Sequence, residues 1–309
     1  PHLGYSAAVV EEVVRHLAEQ AVGAEVDDWR VLLGSLGREW LSCAPAVAGL
    51  EVALLDLVAK VHHLPLYRYL GGAFRDQVPI LRILPLKSPE ETAEGAVRLV
   101  EAGFSYLKIK LENRDMALDI ARIRAVREAV GPKVHLTLDA NQSYRPKEAV
   151  RLWEAIGELG IDLFEQPVPA RDFEGLKFVT KRVGCLVEAD ESAESLEDIW
   201  RLGEMRAVDC VSLKVLKLGG PSKLAQAAAI CEQAGIGYRI GATVGTQLLN
   251  AAAMHLAATF PSLSYACELG EYLRLTNDPF GGLDLRDGVL FLPQGEGLGV
   301  SLTAKAAME

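Results

Sequence analysis

Eight short runs rich in β-branched and aliphatic residues recur about every 24–29 residues from position 78 onward, and this period constrains the fold more than any other feature. The runs are Val78–Leu84, Tyr106–Leu111, Val134–Asp139, Ile161–Glu165, Leu186–Asp190, Cys210–Lys214, Gly237–Ile240 and Ser264–Glu268. Amphipathic stretches lie between them. Met116, Ile120, Ile123, Val126 and Val130 follow a helical period, and Pro146 opens a helix carrying Val150, Trp153 and Ile156. A strand followed by a helix, eight times over, predicts an α/β fold of the TIM-type (β/α) barrel class. The competing architecture is a doubly wound open sheet. It more often has about five to seven strands and a glycine fingerprint after the first, and no such fingerprint is present.

The flanks read differently. Residues 1–75 are helical in pattern, with Val9, Val13, Val14, Leu17 and Ala21 on one face and a second apolar helix over about Ala46 to Val61. Asp287–Phe291 and Gly297–Val300 read as short strands that leave the barrel. The expected organisation is therefore capping-domain helices over 1–75, a catalytic barrel over 76–282, and a segment over 283–309 that returns to complete an α+β cap.

A net charge of −10 argues against a nucleic acid or an anionic membrane as the main partner, because both select for basic faces. Glu51, Asp56 and Lys60 interrupt the best apolar run, so no membrane span is expected. Five cysteines, odd in number and without a C-x-x-C pair, read as reduced core thiols of a cytoplasmic protein.

Chemistry gathers where the runs end. Asp139, Glu165 and Asp190 close three successive strands, and the C-terminal strand ends of a barrel converge on one mouth. Any one of them alone reads as a helix cap or surface charge. Three together would repel unless a cation sits between them, and hard oxygen donors without His or Cys favour Mg²⁺, or Mn²⁺. Lys108 and Lys110 point to the same side of their strand, about 6–7 Å apart. Their repulsion of about 2.5 kcal/mol at an effective dielectric near 20 would lower one lysine by about two pKa units, toward a general base. Lys214, four strands round, would face the substrate from the other side. Such a site would abstract a proton next to a carboxylate, stabilise the resulting enediolate and shuttle the proton by lysine.

At these residues the chain resembles the enolase superfamily, and within it the muconate-lactonizing (muconate cycloisomerase) subgroup. The motifs are K-x-K at Lys108/Lys110, D-x-N at Asp139/Asn141, E-Q-P at Glu165, A-D-E-S at Asp190 and K-x-x-K-x-G-G from Lys214 to Gly220. The resemblance implies metal ligation by Asp139, Glu165 and Asp190, acid/base roles for Lys110 and Lys214, and Lys108 as their electrostatic neighbour. Asn141, Glu191 and Glu268 are the candidates for substrate contact or support of the ligands. It also implies a small carboxylate substrate and a homo-oligomer. Mandelate-racemase-like members place a histidine–aspartate pair where this chain has Lys214, which disfavours that branch. Enolase proper is disfavoured by the lysine arrangement. Dipeptide epimerases carry D-x-D at the eighth strand end; the run Cys267-Glu268-Leu269-Gly270 is more similar to cycloisomerase-like members. Family members begin with a three-stranded meander bearing mobile loops. The sequence opens at Pro1 and does not include that meander, whether the protein lacks it or carries it ahead of Pro1; the cap is read from the helices over 1–75 and the returning tail.

The expected activity is thus an Mg²⁺-dependent racemase, epimerase or cycloisomerase. A dehydratase of the succinylbenzoate-synthase type, a non-catalytic acid-binding barrel and a phosphate-binding lyase are the alternatives. Two loops stay open. Gly219-Gly220 before Pro221 suits either a tight turn or a phosphate cradle, and Gly241–Thr246 either a plain loop or backbone donors for a carboxylate. None of His2, His16, His62, His63, His135 and His255 ends a strand at the mouth.

Overall fold

The computed structural model describes residues 4–36, 42–241, 243–304 and 306–307. His2 and Ala242 lie outside them. Seven parallel strands follow one another in chain order round a curled sheet: β2 (Leu81–Leu84), β3 (Tyr106–Lys110), β4 (His135–Asp139), β5 (Ile161–Glu165), β6 (Leu186–Ala189), β7 (Cys210–Leu213) and β8 (Gly237–Ile240). Ahead of them, β1 (Gln77–Pro79) belongs to another sheet, so the first predicted run divides at Ile80.

The eighth predicted run is a correction. Ser264–Glu268 is not a regular strand but a single bridge between Cys267 and Ile80. Its backbone nevertheless closes the barrel. On one side Ser264 and Glu268 N–H groups donate to the carbonyls of Tyr238 and Ile240; on the other Cys267 donates to Pro79 and accepts from Leu81. The ladder cannot continue past Ile80, because Pro79 has no N–H to give and β1 is already paired with the tail.

Helices α1 (Ala7–Ala21), α2 (Trp29–Ser35), α3 (Ala44–Val61) and α4 (Leu66–Tyr69) precede the barrel. Around it run α5 (Pro89–Glu101), α6 (Met116–Val130), α7 (Pro146–Ile156), α8 (Phe173–Thr180), α9 (Leu196–Met205), α10 (Val215–Leu218), α11 (Pro221–Ala234) and α12 (Gln247–Thr259). Local chemistry starts several of them. Ser88 and Glu91 form a capping box on α5, and Asp115, Asp172 and Ser195 accept from the first turns of α6, α8 and α9. Helix α3 is apolar on two faces because it has two partners. Ala46, Val47 and Leu50 pack with Val13 and Leu17 of α1, whereas Val52, Leu55 and Val58 join the barrel core. Val9, expected on the packed face of α1, stays half-exposed.

The tail returns to the cap, though not as strands over Gly297–Val300. Strands β9 (Phe280–Gly281), β10 (Asp284–Arg286), β11 (Val289–Phe291) and β12 (Ser301–Leu302) form two small antiparallel sheets, with β11 pairing β1. The Gly297 carbonyl then accepts from Leu66 and its N–H donates to Leu64, while Leu298 N–H donates to the Asp56 carboxylate. His255 on α12 pins this seam, accepting from Tyr67 N–H through Nδ1 and contacting the Leu298 carbonyl through Nε2.

Gly219-Gly220 is the tight turn, not a phosphate cradle. Gly220 has φ +126, and a Cβ there would meet the Glu51 carboxylate at 2.1 Å. That carboxylate already takes the Ser222 N–H, so a buried side chain of α3 occupies the N-terminus of α11. The cysteines Cys43, Cys185, Cys210, Cys231 and Cys267 are free thiols. No helix among the described residues is long and apolar enough to cross a membrane.

Candidate active site

Strand register delivers the polar residues to one level. Lys110 pairs with Asp139 across β3–β4, and Asp139 with Glu165 across β4–β5. Glu165 pairs with Glu188, so Asp190, two residues on, faces the same interior just above it. Lys214 follows directly on β7. Together with Lys108, Asn141 and Glu268 they line a cavity of about 250 Å³ whose outer wall includes Ile83, Val244 and Arg274. Glu191 stands at its edge, accepting from Asn141 Nδ2 at 3.1 Å.

Asp139, Glu165, Asp190 and Glu268 each turn an oxygen toward an ammonium group. Lys110 Nζ lies 2.5 Å from Asp139 and 2.6 Å from the Asn141 side-chain oxygen. Lys108 Nζ lies 2.6 Å from Glu165 and also contacts Glu268. Lys214 and Lys217 hold the two oxygens of Asp190 at 2.6 and 2.8 Å. With the lysines so placed, no group of three acidic, cysteine or histidine side chains among the described residues is spaced to hold a metal ion.

The donor set itself fits a hard divalent cation. It consists of the carboxylates of Asp139, Glu165 and Asp190; Glu165 Oε1 within it and Glu191 Oε2 beside it are buried without a hydrogen bond. Burial and the neighbouring Asp139 push the Glu165 carboxyl well above the usual range. Burial and Asp190 likewise push Glu191 up. Unshared negative charge is what a cation would relieve. Asp190 goes the other way: burial opposes its charge, but Lys214 and Lys217 hold it well below the ordinary value.

At Lys108 the expected lowering is reversed. Burial does disfavour charge on Lys108, yet Glu165, Glu268 and Asp139 outweigh it and hold its pKa well above normal. Asp190 does the same for Lys214. Lys108 meets Glu165 at 2.6 Å and also contacts Glu268, and Lys214 meets Asp190 at 2.6 Å, so attraction across these short gaps outweighs the burial that opposes charge on both lysines.

Four residues escaped the reading of strand ends. Glu188 and Arg239 lie two positions below Asp190 and Gly241, and period-2 alternation alone would have aimed them into the barrel. Both are wholly buried. Gln166, at φ +37, accepts from the Asp190 and Ser192 N–H groups and donates to Ser192 Oγ, tying the β5 end to the β6 end. Lys217, the second lysine of K-x-x-K, donates to both the carbonyl and the carboxylate of Asp190. The glycine-rich loop after β8 lines the cavity at Thr243 and Val244.

Comparison with known proteins gives the family and the fold. Residues 91–306 match the enolase C-terminal domain-like family, and residues 2–71 the N-terminal domain of mandelate racemase / muconate lactonizing enzymes. An L-Ala-D/L-Glu epimerase of Clostridium acetobutylicum is 35% identical over 92% of this chain and 80% of its own length. A chloromuconate cycloisomerase of Cupriavidus necator is 34% identical over 96% and 81%. Among solved structures, a substrate-liganded L-Ala-D/L-Glu epimerase from Bacillus subtilis superposes with a TM-score of 0.92 at 34% identity, covering 98% of this chain and 85% of that one. A dipeptide epimerase from Enterococcus faecalis, complexed with Mg and L-Leu-L-Tyr, gives 0.90 at 35% identity over 97% and 84%. The barrel with an N-terminal capping domain, the strand-end motifs and these relatives together place the chain in the mandelate racemase / muconate lactonizing enzyme family of the enolase superfamily, among its isomerases.

Proposed function

We propose that the protein is a divalent-cation-dependent isomerase that removes the proton α to the carboxylate of a small acid and returns a proton to the opposite face. The observation that carries this is the placement of Lys110 and Lys214. Lys110 ends β3 and Lys214 directly follows β7, four staves apart in an eight-staved barrel, so they address one cavity from opposite walls. Inversion at carbon needs that arrangement, with one lysine taking the proton and the other supplying its replacement.

Asp139, Glu165 and Asp190 are the proposed ligands of Mg²⁺ or Mn²⁺. Bound there, the cation stabilises negative charge building on the substrate and weakens the carboxylates' grip on the lysine protons. Asn141 orients Lys110 through its side-chain oxygen while anchoring Glu191. Lys108 and Glu268 form the charged floor under the reacting carbon. Ile83 and Val244 offer an apolar wall for the rest of the substrate. The free thiols suit a reducing compartment, and we place the enzyme in the cytoplasm.

Cycloisomerisation is the second reading, favoured by the Cys267-Glu268-Leu269 run and the chloromuconate relative. It needs one lysine as proton donor rather than two. The test is uptake of solvent deuterium at the α-carbon, followed by NMR with Mg²⁺ present, across dipeptides, N-acyl amino acids, hydroxy acids and muconates. Exchange with inversion supports the isomerase, and its absence from every class overturns it. In Lys214→Ala, exchange retained for one enantiomer and lost for its mirror image supports two-base chemistry; unchanged turnover sinks it.

A further inference from the structure

We infer that Arg239, with Glu188 as its counter-charge, is a positioning residue that holds Glu165 in readiness for a divalent cation. This rests on the assignment of Glu165 as a metal ligand above. Arg239 stands on β8 and is wholly buried beneath the cavity. Its Nε and Nη2 fork onto Glu188 at 2.9 and 2.6 Å, and Nη2 also reaches Glu165 Oε2 at 2.7 Å and Glu268 at 3.2 Å. Lys108 meets that same Glu165 oxygen at 2.6 Å.

Glu165 is therefore divided in its duties. Oε2 is claimed twice from below, whereas Oε1 is buried, makes no hydrogen bond, and belongs to a side chain that lines the cavity. A buried carboxylate oxygen left without a donor is costly, and a cation would satisfy it. Holding one oxygen fixes the side chain's orientation before a cation arrives, as partners behind metal ligands do. A lysine would not replace Arg239 fully, because Arg239 grips Glu188 with both Nε and Nη2 while Nη2 also holds Glu165, and a lysine has a single nitrogen for all three contacts. Glu188 supplies the charge that lets a guanidinium sit so deep.

The experiment is a Mn²⁺ titration of the full chain followed by electron paramagnetic resonance, with thermal unfolding of the metal-free protein alongside. Removing Arg239 alone would strand Glu188, so the first variant replaces both, Glu188→Leu with Arg239→Met. It should fold and bind Mn²⁺ about 10–100-fold more weakly than wild type. Arg239→Lys should fall between the two. A folded double variant with wild-type Mn²⁺ affinity overturns the inference. Should the double variant fail to fold, Arg239→Lys decides, and unchanged affinity there overturns it equally. Failure of the wild type itself to bind Mn²⁺ removes the metal assignment and this inference with it, whereas binding that is indifferent to Arg239 removes this inference alone.

Discussion

The two ends of the barrel are built from the same strands and the same inward-facing register, yet they hold opposite chemistries. At the N-terminal end of β3 and β4, Tyr106 stacks on His135 with ring centres 4.4 Å apart, and Tyr265 meets Tyr106 edge-on at 5.2 Å. The Tyr265 hydroxyl donates to Asp162, which also takes the Leu136 N–H, so the polar groups there satisfy one another. Four residues further along the same strands stand Lys110 and Asp139, near Glu165 Oε1 and Glu191 Oε2, two carboxylate oxygens buried without a hydrogen bond. The N-terminal cavity is the larger, about 500 Å³ against 250 Å³. Volume does not distinguish the end proposed to be active; unsatisfied charge does.

The sharpest way to break this contrast is to mutate both ends. Lys214→Ala should cost about 10²–10⁴-fold in turnover, the usual worth of a positioned acid or base. Tyr106→Phe, at the other end, should leave turnover within about twofold of wild type, since its hydroxyl lies outside the mouth. Comparable losses from the two changes, measured as initial rates on one substrate, would dissolve the distinction.

A smaller effect is expected at neither end but at the seam between α12 and the cap. Burial pushes the His255 imidazole down to about 4 in the folded protein, against about 6.5 when unfolded. The unfolded chain therefore binds more protons between those values. About 3 kcal/mol of stability, complete above pH 6.5, is lost as pH falls through 6.5 toward 4. His255→Gln removes the titrating ring, so its stability deficit at pH 7 should shrink by pH 4.5 in urea unfolding. A deficit independent of pH would show that the ring's charge is not what the fold excludes.

The smallest effect belongs to the N-terminal end. Tyr265→Phe removes the hydroxyl that donates to Asp162 and should cost about 1 kcal/mol in urea unfolding. Its kinetics should not change. A loss of activity without a loss of stability would mean the two ends communicate.

Much of this was legible in the chain. The strand–helix period located the barrel, and parity along each strand placed Asp139, Glu165 and Asp190 at neighbouring ends, because side chains alternate with a fixed period of two. Pro146 and the Met116–Val130 pattern marked helices to the residue. Other features were not legible. Ser264–Glu268 reads as a strand because its residue types suit one, but ladder formation depends on what Pro79 can donate, a fact of the partner and not of the run. Glu51 reads as a break in an apolar helix, whereas in the fold it caps α11, 171 residues away in the chain.

Periodicity and residue type, which are local, were enough to determine the architecture and to name the acids and lysines that meet at the mouth. The direction in which Lys108, Glu165 and Asp190 are shifted was decided only by folding. Lys108, two residues before another lysine in sequence, finds Glu165, Glu268 and Asp139 about it in space, and the sign of its shift reverses. The sequence specifies the direction in which each side chain points, but Coulomb energy follows distance, and short distances between strands exist only once the sheet has closed.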